Sequence, residues 1–185
     1  MIIFGIIIVV LLIIGLSLYN SLIAKKNQVD NAFSAIDAML KKRYDLLPNL
    51  VETVKQYMQH EAGLLSKIVE LRSKASSPDI SSEERLQIDA QMSTALKSVM
   101  VTVENYPDLK ASQNFIQLQS TWTESEEQIA AARRTYNASV TDYNNGIMMF
   151  PGSIIAGMMN YKPMSVLSIP EEERKNISAK DLFNR

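Results

Sequence analysis

The chain has 185 residues, and its 19 Lys and Arg against 20 Asp and Glu leave a net charge of −1, too balanced to draw nucleic acid in bulk. A length of this order holds one domain plus an anchor, and the absence of cysteine removes disulfide scaffolds, thiolate metal sites, cysteine nucleophiles and a lipid-modified cysteine. Gly and Pro number only 6 each among abundant helix formers, so the composition predicts an all-α chain.

The first element is apolar. Ile2, Ile3, Phe4, Ile6, Ile7, Ile8, Val9, Val10, Leu11, Leu12, Ile13, Ile14, Leu16 and Leu18 form a run interrupted only by Gly5, Gly15 and Ser17. As a helix of about 17 residues it rises ~25 Å, slightly short of a ~30 Å hydrocarbon core. Tyr19 supplies an interfacial aromatic, and Lys25 and Lys26 can snorkel. A buried core helix does not need so long an uninterrupted run. A cleaved signal peptide is the rival, but no basic residue precedes the run and Ser21-Leu22-Ile23-Ala24 is a poor cleavage site. Residues 1–19 are therefore expected to be an uncleaved transmembrane anchor. Positive side chains follow the span at Lys25, Lys26, Lys41, Lys42 and Arg43, and none precedes it. The positive-inside rule then predicts a cytoplasmic helical domain and a very short external N-terminus.

Residues 20–150 read as a helical bundle, because apolar positions recur at steps of three and four. The first segment places Leu22, Val29, Phe33, Ile36, Leu40 and Leu47 on one face; the second places Leu50, Val54, Tyr57, Leu64 or Leu65, Ile68, Leu71 and Ala75. Ser76-Ser77-Pro78-Asp79 breaks the pattern, and Ser81 with Glu83 and Glu84 reads as a helix N-cap and acidic first turn. Met92, Leu96, Val99, Val103 and Tyr106 follow, until Pro107 ends the third segment and opens the fourth. There Phe115, Leu118, Trp122, Ser125, Ile129, Ala132, Tyr136, Ser139, Tyr143, Ile147 and Phe150 fit a seam of period 3.5.

Pro48 must kink or stop its helix. A reversal at Leu46-Leu47-Pro48 gives an antiparallel, coiled-coil-like four-helix bundle of about 26, 27, 25 and 41 residues. A kink gives one long bent helix in a three-helix coil. The comparable lengths of the first three segments favour the reversal. Pro151-Gly152 stops the fourth helix, leaving residues 151–185 as an irregular apolar segment and a charged tail that holds Leu182-Phe183. The apolar segment is expected to pack back on the bundle or a neighbouring subunit, with a membrane-surface or oligomer contact as the sharper reading.

Few residues offer chemistry. His60 is the only histidine, so His60-Glu61 lacks the second ligand of a zinc protease, and Leu64 stands where it would be. Tyr57 occupies the position a di-iron Glu-x-x-His motif requires for glutamate. Arg43, Asp45, Arg133 and Arg134 are expected to be solvated or paired within the bundle rather than to hold phosphate. Tyr136-Asn137 and Tyr143-Asn144 are one heptad apart, so both tyrosines fall on the seam, and Tyr136, Tyr143 and Asn137 are expected to belong to a hydrogen-bonded layer rather than a ligand site. An enzyme built only from Asp, Glu, Tyr and Arg would need a buried, strongly shifted carboxylate in a cleft.

The order of short motifs carries a resemblance. Tyr19-Asn20 is followed by Ile36-Asp37, then Arg43-Tyr44-Asp45-Leu46-Leu47-Pro48-Asn49-Leu50-Val51, Tyr57, His60-Glu61 and Arg72. Glu104-Asn105-Tyr106-Pro107-Asp108-Leu109-Lys110-Ala111-Ser112, Asn114-Phe115 and Leu118-Gln119 come next, before Glu127, Ile129-Ala130, Ala132-Arg133, Tyr136-Asn137, Tyr143-Asn144 and Phe150-Pro151. Over roughly residues 19–157 the chain resembles the LemA family of bacterial membrane proteins. It departs at Trp122, where a smaller aliphatic residue is usual, and after Gly157, where Met158-Met159-Asn160-Tyr161 replaces a Gly-Phe ending.

The resemblance implies a membrane-anchored antiparallel helical bundle and supplies no catalytic, cofactor or metal residues. The expected function is a non-catalytic, self-associating scaffold at the membrane, with a sensory or adaptor module as the alternative. Its expected partners are the bilayer, further copies of the chain and other membrane proteins, with no nucleic acid or small-molecule substrate.

Overall fold

A computed structural model describes residues 1–58, 60–77 and 80–167. The described residues are helical with no strand: α1 Ile2–Lys55, α2 Ala62–Ala75, α3 Ser82–Val103, α4 Pro107–Lys110, α5 Gln113–Met148 and α6 Gly152–Met158. This is the all-α architecture with a long apolar N-terminal helix that the periodicity predicts. The charged tail, with Leu182-Phe183, lies outside the described residues.

The reversal expected at Pro48 does not occur there. α1 runs through Pro48 to Lys55 as one 54-residue helix, and the chain turns only at residues 56–61. Proline cannot donate to the carbonyl four residues earlier, which is that of Tyr44. Arg72 Nε of α2 donates to this oxygen instead, at 3.2 Å, while the Pro48 ring faces outward, exposed. The freed acceptor thus fastens α2 to α1, and four long helices remain with the turn displaced. Tyr57, expected on the seam, is 39% exposed in that turn, and Met58 is buried instead.

α3 begins as its sequence predicts. Ser81 Oγ accepts from the Glu84 amide at 3.2 Å, and Glu84 Oε2 accepts from the Ser81 amide at 3.0 Å. This capping box satisfies two otherwise orphaned donors. The hydrogen bonds from the Ser81 side chain and backbone hold the Glu84 carboxyl below the ordinary glutamate range. The fourth segment is not one helix from Pro107. Pro107 opens the single turn of α4, pinned by fully buried Leu109, and α5 starts after Ser112.

The chain packs as two compact units. One comprises Ser34–Ala131. Here Ile36, Leu40, Leu47 and Val54 of α1, Ile68 and Leu71 of α2, and Met92, Leu96 and Val99 of α3 are fully buried. The first half of α5 closes this unit through Phe115, Trp122 and Ile129. The other unit joins Met1–Phe33 to the chain from Ala132 onward. Leu22 and Val29 of α1, Val140, Tyr143 and Ile147 of α5, and Ala156 of α6 form its core. α5 runs antiparallel to α1 here, since Phe33 meets the Tyr136 ring at 5.7 Å while Gly146 faces Leu22 and Lys25. The seam ends earlier than its period implies: Phe150 is 82% exposed, in the turn after α5.

Candidate functional site: an apolar sleeve, a buried arginine and an asparagine ladder

None of the described residues covers the apolar start of α1. Its large side chains from Ile2 to Leu16 are between 44% and 81% exposed, on every side of the helix. Soluble monomers rarely expose contiguous apolar surface beyond a few hundred Å². A helix apolar all round belongs in a core or a bilayer, and this one is long and apolar enough to cross a membrane. Tyr19 and Asn20 continue the same helix and are exposed, at the point where burial of α1 begins with Leu22.

Within the unit Ser34–Ala131, Arg43 is buried at 2% exposure and ion-paired with Asp89 of α3, itself at 3%. Arg43 also donates to Ser93 Oγ at 3.3 Å, approaches Glu126 at 3.8 Å, and lies 4.9 Å from the Trp122 ring centre. One guanidinium therefore ties α1 to α3 and α5, using planarity for stacking and its fork for the carboxylate. The Trp122 ring of α5 is the apolar surface against which this guanidinium lies. Arg85 pairs with Asp37 along the same two helices. Asp45 and Asn49, beside Arg43 in sequence, are exposed, and so is His60 in the α1–α2 turn, next to Glu61 at the α2 N-cap.

A groove of about 560 Å³ lies between the end of α1 and α2, lined by Val51, Lys55, Met58, Ala62, Leu65, Ser66 and Val69. Its walls are largely apolar, and Lys55 is its charged group.

The second unit holds the most specific polar geometry. Asn144 Nδ2 donates to the Met164 carbonyl at 2.8 Å, and its Oδ1 accepts from the Met164 amide at 2.9 Å. Asn137 repeats the arrangement on Leu167, at 3.0 and 2.8 Å. Seven residues of helix rise ~10.5 Å, and three residues of extended chain span ~10 Å. The heptad spacing of the asparagines therefore matches the three-residue spacing of Met164 and Leu167 on a segment running antiparallel to α5. Tyr143 donates its hydroxyl to the Lys162 carbonyl at 3.2 Å and packs on the Tyr161 ring at 6.0 Å. Burial, then the neighbouring Tyr161 and Asp30, raises the Tyr143 hydroxyl above the ordinary tyrosine value. Burial, with Asp30, does the same for Tyr136.

Asn137, Tyr143 and Asn144 thus hold residues 162–167 of their own chain, a partner no periodicity marks, while Tyr136 packs on Phe33 of α1. Tyr106 and Pro107 form a separate structural site at the α4 N-terminus.

Comparison with known proteins agrees with the motifs. The model of the LemA family matches residues 32–180, beginning after the apolar run and extending beyond the motif-bearing stretch. A relative named Protein LemA, from Metamycoplasma hominis, is 29% identical over 165 residues, covering 89% of this chain and 75% of the relative. Magnetosome protein MamQ 2 of Paramagnetospirillum magneticum is 22% identical over 169 residues; the match covers 78% of this chain and 62% of that protein. Magnetosome protein MamQ of Magnetospirillum gryphiswaldense matches at the same identity and coverage. With most of its length matched by the family model and its motifs built into the helix contacts above, the chain belongs to the LemA family.

Proposed function

We propose that this chain is a single-pass, membrane-anchored helical scaffold that self-associates at the membrane and carries out no catalysis. The observation that supports it most is the uncovered apolar sleeve continuing without a break into the helix that supplies Leu22 and Val29 to a packed core. A removable leader would have to be cut inside that helix. The polar sites described above are consumed by the protein itself: Arg43 by Asp89, Asn137 and Asn144 by their own chain.

Lys25 and Lys26 just past the sleeve favour a cytoplasmic bundle. Because the chain has no cysteine, single cysteines on either side of the span report orientation directly. A cysteine introduced at Thr141 should be shielded from an impermeant maleimide in intact cells and labelled after lysis. For self-association, the full chain in detergent and in nanodiscs should give a mass of two or more copies by light scattering. A strictly monomeric species in both would end the assembly reading.

A further inference from the structure

The chain carries no charged side chain between Asp142 and Lys162, a second uncharged stretch far from the N-terminus in sequence. Its end folds as α6, whose Gly152 and Ala156 are buried against the core of the Met1–Phe33 unit. Two residues advance a helix by about 200°. Ile154 and Met158 therefore point almost directly away from Gly152 and Ala156, and they are 57% and 81% exposed. Phe150, one turn before Ile154, is exposed as well. An apolar inner face is ordinary; a second apolar face opposite it, left exposed by the described residues, calls for a partner.

The position of α6 identifies that partner. Gly146 faces Leu22 and Lys25, and α5 runs antiparallel to α1, so α5 ends at Met148 heading towards the sleeve and Phe150 lies in the turn at that end. Ala156 shares a core with Leu22, just past the end of the sleeve, which keeps α6 at this height. Basic groups collect just behind it: Lys26 lies 5.4 Å from the Tyr161 ring, with Lys25 and Lys162 alongside. Gly152 lets the return be this tight, since a Cβ there would lie well inside van der Waals contact distance of the Gly146 carbonyl oxygen.

We propose that α6 is a second membrane contact, with Phe150, Ile154 and Met158 set into the bilayer interface beside the exit of α1. Lys25, Lys26 and Lys162 reach the anionic headgroups. The continuity of this face with the sleeve selects lipid over a protein partner, and the proposal rests on the sleeve being a membrane span. Insertion of ~5–10 Å, the depth typical of interfacial helices, is all the geometry requires. The element then fixes the angle at which the helix pair leaves the membrane, which one span alone leaves free.

The test uses the full chain in vesicles of phosphatidylcholine and phosphatidylglycerol at about three to one. Single variants Ile154→Cys, Met158→Cys, Leu11→Cys and Thr141→Cys carry an environment-sensitive fluorophore. Labels at 154 and 158 should be quenched by iodide roughly threefold less than the label at 141, and be quenched strongly by lipids bearing a nitroxide near the headgroup. Iodide quenching at 154 and 158 equal to that at 141, with the label at 11 lipid-buried, overturns the α6 contact and leaves the anchor standing. Protection at 154 and 158 from both quenchers means another copy covers the face, and also overturns it. Iodide access at 11 removes the anchor and the proposal together.

Discussion

Arg43 shows how a single side chain organises a helical unit. Its pair with Asp89 is almost dry, and removing Asp89 takes the nearer carboxylate from a buried guanidinium, leaving the half-exposed Glu126 at 3.8 Å. Asp89→Ala should therefore lower unfolding free energy by about 3–5 kcal/mol, while Arg43→Met with Asp89→Leu should recover most of the loss. Denaturant titration of the three proteins checks this; equal losses in the single and double variants would show that the cost lies in losing the pair itself and not in a stranded charge. At the asparagine ladder the contacts are to backbone alone, so the test must read backbone. Asn144→Ala removes two hydrogen bonds, each worth about 1 kcal/mol. Amide exchange at Met164 should rise roughly 5- to 30-fold, with Asn137→Ala doing the same at Leu167. Tyr143 adds a pH dependence. Burial raises its hydroxyl above the ordinary value near 10, so the folded state favours the protonated form. That contribution is whole below pH ~10 and is lost as pH rises through the folded value. Thermal melts between pH ~8 and ~11 should fall less steeply at the alkaline end for Tyr143→Phe than for the parent.

At the scale of elements, Pro48 is the instructive case. Placed inside α1, it removes one helical hydrogen bond, and Arg72 takes the acceptor it frees. Arg72→Met should destabilise the parent by about 1–3 kcal/mol, because the Tyr44 carbonyl loses its partner. In a Pro48→Ala background the backbone amide regained at position 48 can donate to that carbonyl, so the same substitution should cost clearly less. A double-mutant cycle by denaturant unfolding measures the difference, and a coupling of zero would mean Arg72 does not compensate for the proline. This contact also explains what the sequence can and cannot reveal. The apolar faces of α1, α2 and α3 are legible because burial imposes a period, and the Ser81–Glu84 box because capping has fixed chemistry. The turn falls beyond Pro48 because the compensation comes from a residue on another helix, and no local pattern records a donor arriving from α2. The asparagines stand out by their heptad spacing. Their partner does not, since backbone groups of residues 164 and 167 carry no side-chain signature. The period assigns Phe150 to the seam, yet Pro151-Gly152 turns the chain before the seam can use it.

For the molecule as a whole, the two apolar regions ask different things of the solvent. The core around Leu22, Tyr143 and Ala156 needs only its own side chains, whereas the sleeve from Ile2 to Leu18 has no described protein surface to bury against. If the sleeve is a span, charge in its middle should act on membrane insertion and leave the packed units intact. A central Arg costs about 2.5–3.5 kcal/mol on insertion scales, and the span is already short for a ~30 Å core. Leu11→Arg should move a measurable share of the protein into the alkaline-carbonate supernatant, and adding Ile8→Arg should move most of it. The helical circular dichroism of residues beyond the sleeve should persist in the released protein. Replacing Lys25 and Lys26 by Gln makes the complementary change, altering the charge that sets orientation while leaving apolar length alone. It should redistribute cysteine labelling between the two sides of the membrane and leave carbonate resistance unchanged. Were Leu11→Arg to stay as firmly in the pellet as the parent, the sleeve would not be what holds the chain to lipid. Association with another membrane protein would then have to supply the attachment.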